Sequence, residues 1–229
     1  MGMPFTGLDA LLAPAPLPLE TGFERDADGV LHIACRTDLH GVSGEMFEWW
    51  FRSRPLTQQY IWWHPIDHVA SNWAEGVEGE LPGSVHLAEE RFGHLPAQQV
   101  AVQFRDPEEF FTPAAYRQAR SEGRITGAVC GRIGNGFDAE RDEDGRFLGN
   151  RLMHLCRDTP WGSALRSNFY FGVDLVGKLT PQQMAETFTD EFGREVLRHC
   201  YNEFTFLARF LPSLYAGEHR DTIPVPEPW

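Results

Sequence analysis

Imidazole and carboxylate side chains recur in this sequence at spacings that suit a divalent metal. In the segment LRHCYNEF, His199 and Glu203 stand four positions apart, so a helix would stack them one turn apart on one face. Such a pair offers an imidazole nitrogen and a carboxylate oxygen, both of which suit zinc. Taken alone, it also fits a hydrogen-bonded surface pair. A second source is IWWHPIDHV, where His64 and His68 flank Pro65. Proline interrupts a helix, so the segment reads as a strand, YIWW, running into a turn. The two rings then point in different directions, one free to bind metal and the other to brace the turn. In HLAEER, strand alternation puts His86, Ala88 and Glu90 on one face and Leu87, Glu89 and Arg91 on the other. One of the two adjacent glutamates therefore faces an interior site. His154, on the otherwise apolar run Leu152 to Cys156, is either a satisfied core histidine or a catalytic acid or base.

These groups need a scaffold, and the composition supplies one. The 229 residues are 42% hydrophobic, with 7 Trp and 17 Phe, ample for a packed interior and an aromatic-lined cavity. A net charge of -13 repels polyanions and disfavours nucleic acid and anionic membranes as partners. The four cysteines form no C-x-x-C pair, which removes zinc-ribbon and thioredoxin motifs and fits a reducing compartment. With no secretory signal and no membrane-spanning run in the sequence, the expected location is cytoplasmic.

Residues 1–28 are Pro- and Leu-rich and read as an arm lying across a body formed by residues 29–229. In that body, the runs VLHIAC, SVHLAEERF, QQVAVQF, ITGAVCGRI, RLMHLC and SNFYFGVDLV have the rhythm of an antiparallel sheet. GFDAERDEDGRFLGN lacks the ligand spacing of a calcium loop and reads as an exposed hairpin loop, and GRIGNG reads as a turn. After Thr180-Pro181 one or two helical segments follow, with Phe192, Val196, Cys200, Phe204 and Leu207 at helical spacing and Pro212 as the expected end. Strands followed by a long helix predict an α+β fold with the helix packed across the sheet.

Together, EMFEWWF, YIWWHPIDHV, AEERFG with VQFRDPEEF, MHLCRDTPWG with RSNFYFG, and LRHCYNEFTFLARFLPSLY resemble the diacetylphloroglucinol hydrolase family, which includes phloretin hydrolases. The likeness covers about residues 40–216. It implies a helix-grip (Bet v 1-like) fold, a curved antiparallel sheet wrapped around a long C-terminal helix and enclosing a cavity. It also implies zinc-dependent hydrolysis of the carbon–carbon bond between an acyl group and a phenolic ring. Carried over residue by residue, it places zinc on His68, Glu90, His199 and Glu203. His154 becomes the catalytic histidine. Tyr60, Asn72 and Tyr170 become the hydrogen-bonding partners of an acylated phenolic substrate, with Ser71 and Phe169 as neighbouring alternatives to the last two. A homodimer is left open. The competing expectation is a non-catalytic helix-grip protein that binds an aromatic small molecule.

Overall fold

Alternation of apolar and polar residues becomes a single sheet. Its strands are β1 (Gly22–Arg25), β2 (Leu31–His40), β3 (His68–Glu75), β4 (Val85–Glu90), β5 (Gln98–Arg105), β6 (Gly127–Asn135), β7 (Asn150–Thr159) and β8 (Gly162–Phe171). The computed structural model describes Phe5 and residues 7–222; residues 1–4, 6 and 223–229 lie outside the described residues. All neighbouring strands are antiparallel, in the order β1-β2-β8-β7-β6-β5-β4-β3. Helices α1 (Gly44–Arg52) and α2 (Thr57–Trp63) carry the chain from β2 to β3 at the far edge, and α3 (Pro113–Ser121) joins β5 to β6. The chain ends in α4 (Pro181–Thr187) and α5 (Asp190–Glu218). This is the helix-grip arrangement, a curved sheet around a long C-terminal helix.

Helix α5 turns Val196, Cys200, Phe204, Leu207 and Leu211 onto the inner face of the sheet, where they share one core with Ile33, Cys35, Leu152 and Leu165. The spacing of three and four residues is the stripe that a helix needs to bury one side. The alternate residues of the central strands, including Met153, Leu155 and Tyr170, form a second core on the outer face under Leu8, Leu11 and Leu12. Both faces of the central strands are therefore covered, which explains their nearly continuous apolar runs.

Three local expectations are corrected. YIWW forms the end of α2, not a strand: Tyr60 and Trp63 are buried on one side of the helix while Trp62 is exposed. Pro65 follows the helix end at His64, and the strand begins only at His68. Pro212 lies inside α5 rather than ending it. Its missing N–H costs one helical bond, but the turns beyond it are held by the buried Tyr215, whose hydroxyl donates to Glu45 Oε1 at 3.0 Å. GRIGNG is mostly strand, since β6 runs to Asn135. Its glycines allow the following loop to fold back onto the strand, where a Cβ at Gly134 would stand 2.2 Å from that of Ala139.

Candidate metal and substrate site

The helix–turn–strand around Pro65 delivers the first imidazole. At the end of α2 the backbone carbonyl of Tyr60 meets His68 Nδ1 at 2.8 Å. A carbonyl only accepts, so Nδ1 carries the proton and Nε2 keeps its lone pair. That Nε2 is buried and makes no hydrogen bond among the described residues, and it lies 3.7 Å from Glu203 Oε2. An unpartnered nitrogen in such a place is costly unless something occupies it. The Tyr60 ring stacks on His68 at 3.6 Å and fixes its plane.

Sheet pairing supplies the next group. His68 and Glu90 are direct cross-strand partners between β3 and β4, and the alternation of β4 puts Glu90 and His86 on the cavity wall, with Glu89 on the other side. Tyr60 donates its hydroxyl to Glu90 Oε1, while Glu90 Oε2 lies 3.9 Å from His199 Nε2. The last pair comes from α5, where helical spacing sets His199 and Glu203 on the same buried side. Donor atoms of His68, His199 and Glu203 all lie within 4.8 Å of one another. Glu90 faces this trio without belonging to it.

Burial governs the electrostatics. It holds the His68 imidazole well below its ordinary range, with the neighbouring His199 adding to the effect. Burial, reinforced by Glu90, pushes the Glu203 carboxyl well above the usual carboxylate range, and it raises the Tyr60 phenol, again with help from Glu90. A neutral imidazole with a free nitrogen beside two crowded carboxyls is a donor set that a divalent cation would relieve. The imidazole and carboxylate donors suit zinc, and the residues present therefore fit such an ion.

This cluster closes one part of a cavity of about 720 Å³ between the sheet and α5, walled by Phe51, Trp63, Phe104, Phe169, Phe192 and Val196. His154 reaches the same cavity from β7. It is packed among Phe47, Phe51, Phe169 and Phe204, and its Nδ1 is 2.8 Å from Oγ of its cross-strand partner Ser167. Burial takes its pKa down to about 3.

Two expected substrate-binding residues are not brought to the cavity. Tyr170 lies on the outer face of β8, stacked on His32 at 4.4 Å, with its hydroxyl buried and without a hydrogen-bond partner among the described residues; Phe169 takes the cavity side. Asn72 is exposed and its Oδ1 accepts the N–H of Trp73 at 2.9 Å. The inward residue is Ser71, whose hydroxyl donates to the Pro55 carbonyl and meets His86 Nε2 at 2.8 Å. Both cases are one-residue slips along a strand, which reverse the face a side chain occupies. Sequence reasoning passed over Asp67 and Ser167, both with polar roles here, and gave His86 no role although alternation set it on the face of Glu90. The carboxylate inside HPIDH was a visible sign of the first; nothing in the sequence links Ser167 to His154 before the strands are paired.

Fold and site define a helix-grip protein with an imidazole–carboxylate cluster, suited to a divalent metal, beside an aromatic-lined cavity. The chain belongs to the family described as the DAPG hydrolase PhiG domain, whose model matches residues 3–216. Two curated relatives, from Pseudomonas sp and Pseudomonas protegens, both carry the name 2,4-diacetylphloroglucinol hydrolase. Each is 23% identical over 230 residues, covering 91% of this chain and 74% and 71% of the relatives respectively. Among solved structures, Ara h 8.0201 is similar with a TM-score of 0.48 and 12% identity, over 81% of this chain and 99% of that one. Protein Ms6760 from Mycobacterium smegmatis is similar with a TM-score of 0.45 and 11% identity, over 87% and 99%.

Proposed function

We propose that this protein is a zinc-dependent hydrolase that cleaves the carbon–carbon bond between an acyl group and an electron-rich phenolic ring, on substrates like diacetylphloroglucinol or phloretin. The observation that carries the reading is the meeting of ligand-type atoms of His68, His199 and Glu203 beside the aromatic cavity, in a chain of the DAPG hydrolase family. His68, His199 and Glu203 would hold the ion, with Glu90 as the fourth ligand. When bound, zinc supplies Lewis acidity toward an acyl carbonyl and toward water.

The chain's own residues account for the rest. Hydrolysis adds the hydroxyl of water to the acyl carbon and a proton to the ring carbon, giving a carboxylic acid and the free phenol. The Phe51 and Phe169 rings flank His154 in the cavity wall and offer an aromatic substrate a flat, water-poor seat. His154, held through Nδ1 by Ser167, is placed to carry the proton to the ring carbon. Because burial disfavours its charged form, it acts as a relay that gives a proton up readily. Tyr60, already bonded to Glu90, is the remaining candidate to contact a substrate oxygen.

Metal analysis of protein purified without added zinc, paired with an assay for acid release from an acylphloroglucinol, tests this reading. One zinc per chain and acid release are expected, with both lost in His199→Ala. A variant that kept both would refute it.

A further inference from the structure

His199 belongs to two compact sets of ligand-type atoms, one with His68 and Glu203 and the other with His64 and Asp67. The sets lie on opposite sides of its ring, because Nε2 faces Glu90 at 3.9 Å and Nδ1 faces Asp67 Oδ2 at 3.2 Å. The chemistry of the second set rules against a cation there. Arg198 Nη2 sits 2.8 Å from the same Asp67 oxygen, so a guanidinium already occupies the place where a divalent ion would need the carboxylate. His64 is unsuited as well. Its Nδ1 accepts the Asp67 backbone N–H at 3.1 Å, which puts the proton of the neutral ring on Nε2, the nitrogen that faces Asp67 Oδ2 at 3.5 Å. The second set is therefore one buried carboxylate that accepts from Arg198 and His199, with the His64 ring beside it.

From this geometry we infer that Asp67 is a positioning residue for the metal proposed above: by accepting the Nδ1 proton of His199, it fixes the tautomer that leaves Nε2 free and aims the ring at the ion. The inference rests on the metal reading of the site. Metal-bound histidines commonly donate their other N–H to a carboxylate or carbonyl, and these outer partners matter to affinity. Here the two ligand histidines use one device each: His68 donates to the Tyr60 carbonyl and His199 to Asp67. Asp67 is itself held at both ends of its backbone, its N–H by His64 and its carbonyl by the N–H of Arg91 at 2.7 Å. Arg91 directly follows Glu90, so the proline turn is tied to the strand that carries the fourth expected ligand. In HPIDH, His68 is the ligand, Asp67 orients the ligand on the distant helix, and His64 braces the turn.

The test is zinc affinity measured by competition with a chelating dye, on stripped wild-type protein, Asp67→Asn and His199→Ala. Asp67→Asn keeps the backbone bonds and the shape of the side chain. It should weaken zinc by roughly 10- to 100-fold, and its cobalt-substituted visible spectrum should keep the wild-type band positions, since no ligand has changed. Unchanged zinc affinity in Asp67→Asn would overturn the inference while leaving the metal reading intact. Shifted cobalt bands or total loss of metal would also overturn it, by making Asp67 a ligand. Wild-type protein that bound no zinc would sink both. If Asp67→Asn does not fold, Arg198→Ala serves instead: releasing the anchored carboxylate should weaken zinc several-fold with unaltered cobalt bands, and unchanged affinity would overturn the inference.

Discussion

Replacing His154 with glutamine should make the folded chain less sensitive to acid. The imidazole is wrapped by Phe47, Phe51, Phe169 and Phe204, and burial takes its pKa from 6.5 to about 3. In the unfolded chain the ring takes up a proton near its ordinary value, so between those two values the unfolded state binds more protons than the folded one. The stability tied to a neutral His154 is therefore complete above about pH 6.5 and declines as pH falls toward 3. Each pH unit in that window costs about 1.4 kcal/mol, or about 2 kcal/mol by pH 5 once the gradual onset is included. Urea unfolding with chelator present, at a series of pH values, measures this directly. The His154→Gln curve should fall less steeply than wild type by that amount, whatever its offset at neutral pH. Parallel curves for the two proteins would refute the claim that a neutral, buried His154 is part of the folded state. His86, also taken down to about 3 by burial, predicts a second decrement of the same size in His86→Gln.

Tyr170→Phe should leave kcat/KM for acid release within about twofold of wild type, because the hydroxyl is buried on the outer face, with no partner among the described residues; a large loss in steady-state kinetics would place it back in the reaction. Ser71→Ala should impair turnover more than Asn72→Ala, since only Ser71 holds a cavity-lining histidine; the reverse order in the same assay would count against the assigned strand register. Phe204→Ala opens a void between α5 and the sheet at a fully buried site and should cost about 3–5 kcal/mol in urea unfolding, with a value under 1 showing that the core can close over the gap.

Much of the fold was legible because it follows from periodicity. The stripe Val196, Cys200, Phe204 and Leu207 foretold which face of α5 would be buried, and alternation in HLAEER put Glu90 with His86 before any strand was paired. The errors share one origin. Periodicity fixes spacing but not phase or type over a short apolar run, so YIWW read as a strand although four residues cannot distinguish the two. In the doubly covered strand β8, Phe169 and Tyr170 are both apolar enough for either face, and nothing local says which one meets the cavity. Pro212 was overridden by contacts from α1, distant in sequence. The second set around Asp67 stayed hidden because it depends on α5 meeting a turn more than a hundred residues away.

Hydrolysis of this kind adds water across an aryl–acyl bond. Incubating wild-type protein and His154→Gln with diacetylphloroglucinol in heavy-oxygen water, and analysing products by mass spectrometry, tests this directly. The expected wild-type result is one heavy oxygen in the released acetic acid and none in the phenol, with His154→Gln strongly slowed. Label entering the phenol, or an intact substrate after prolonged incubation with zinc-loaded protein, would contradict the proposed reaction.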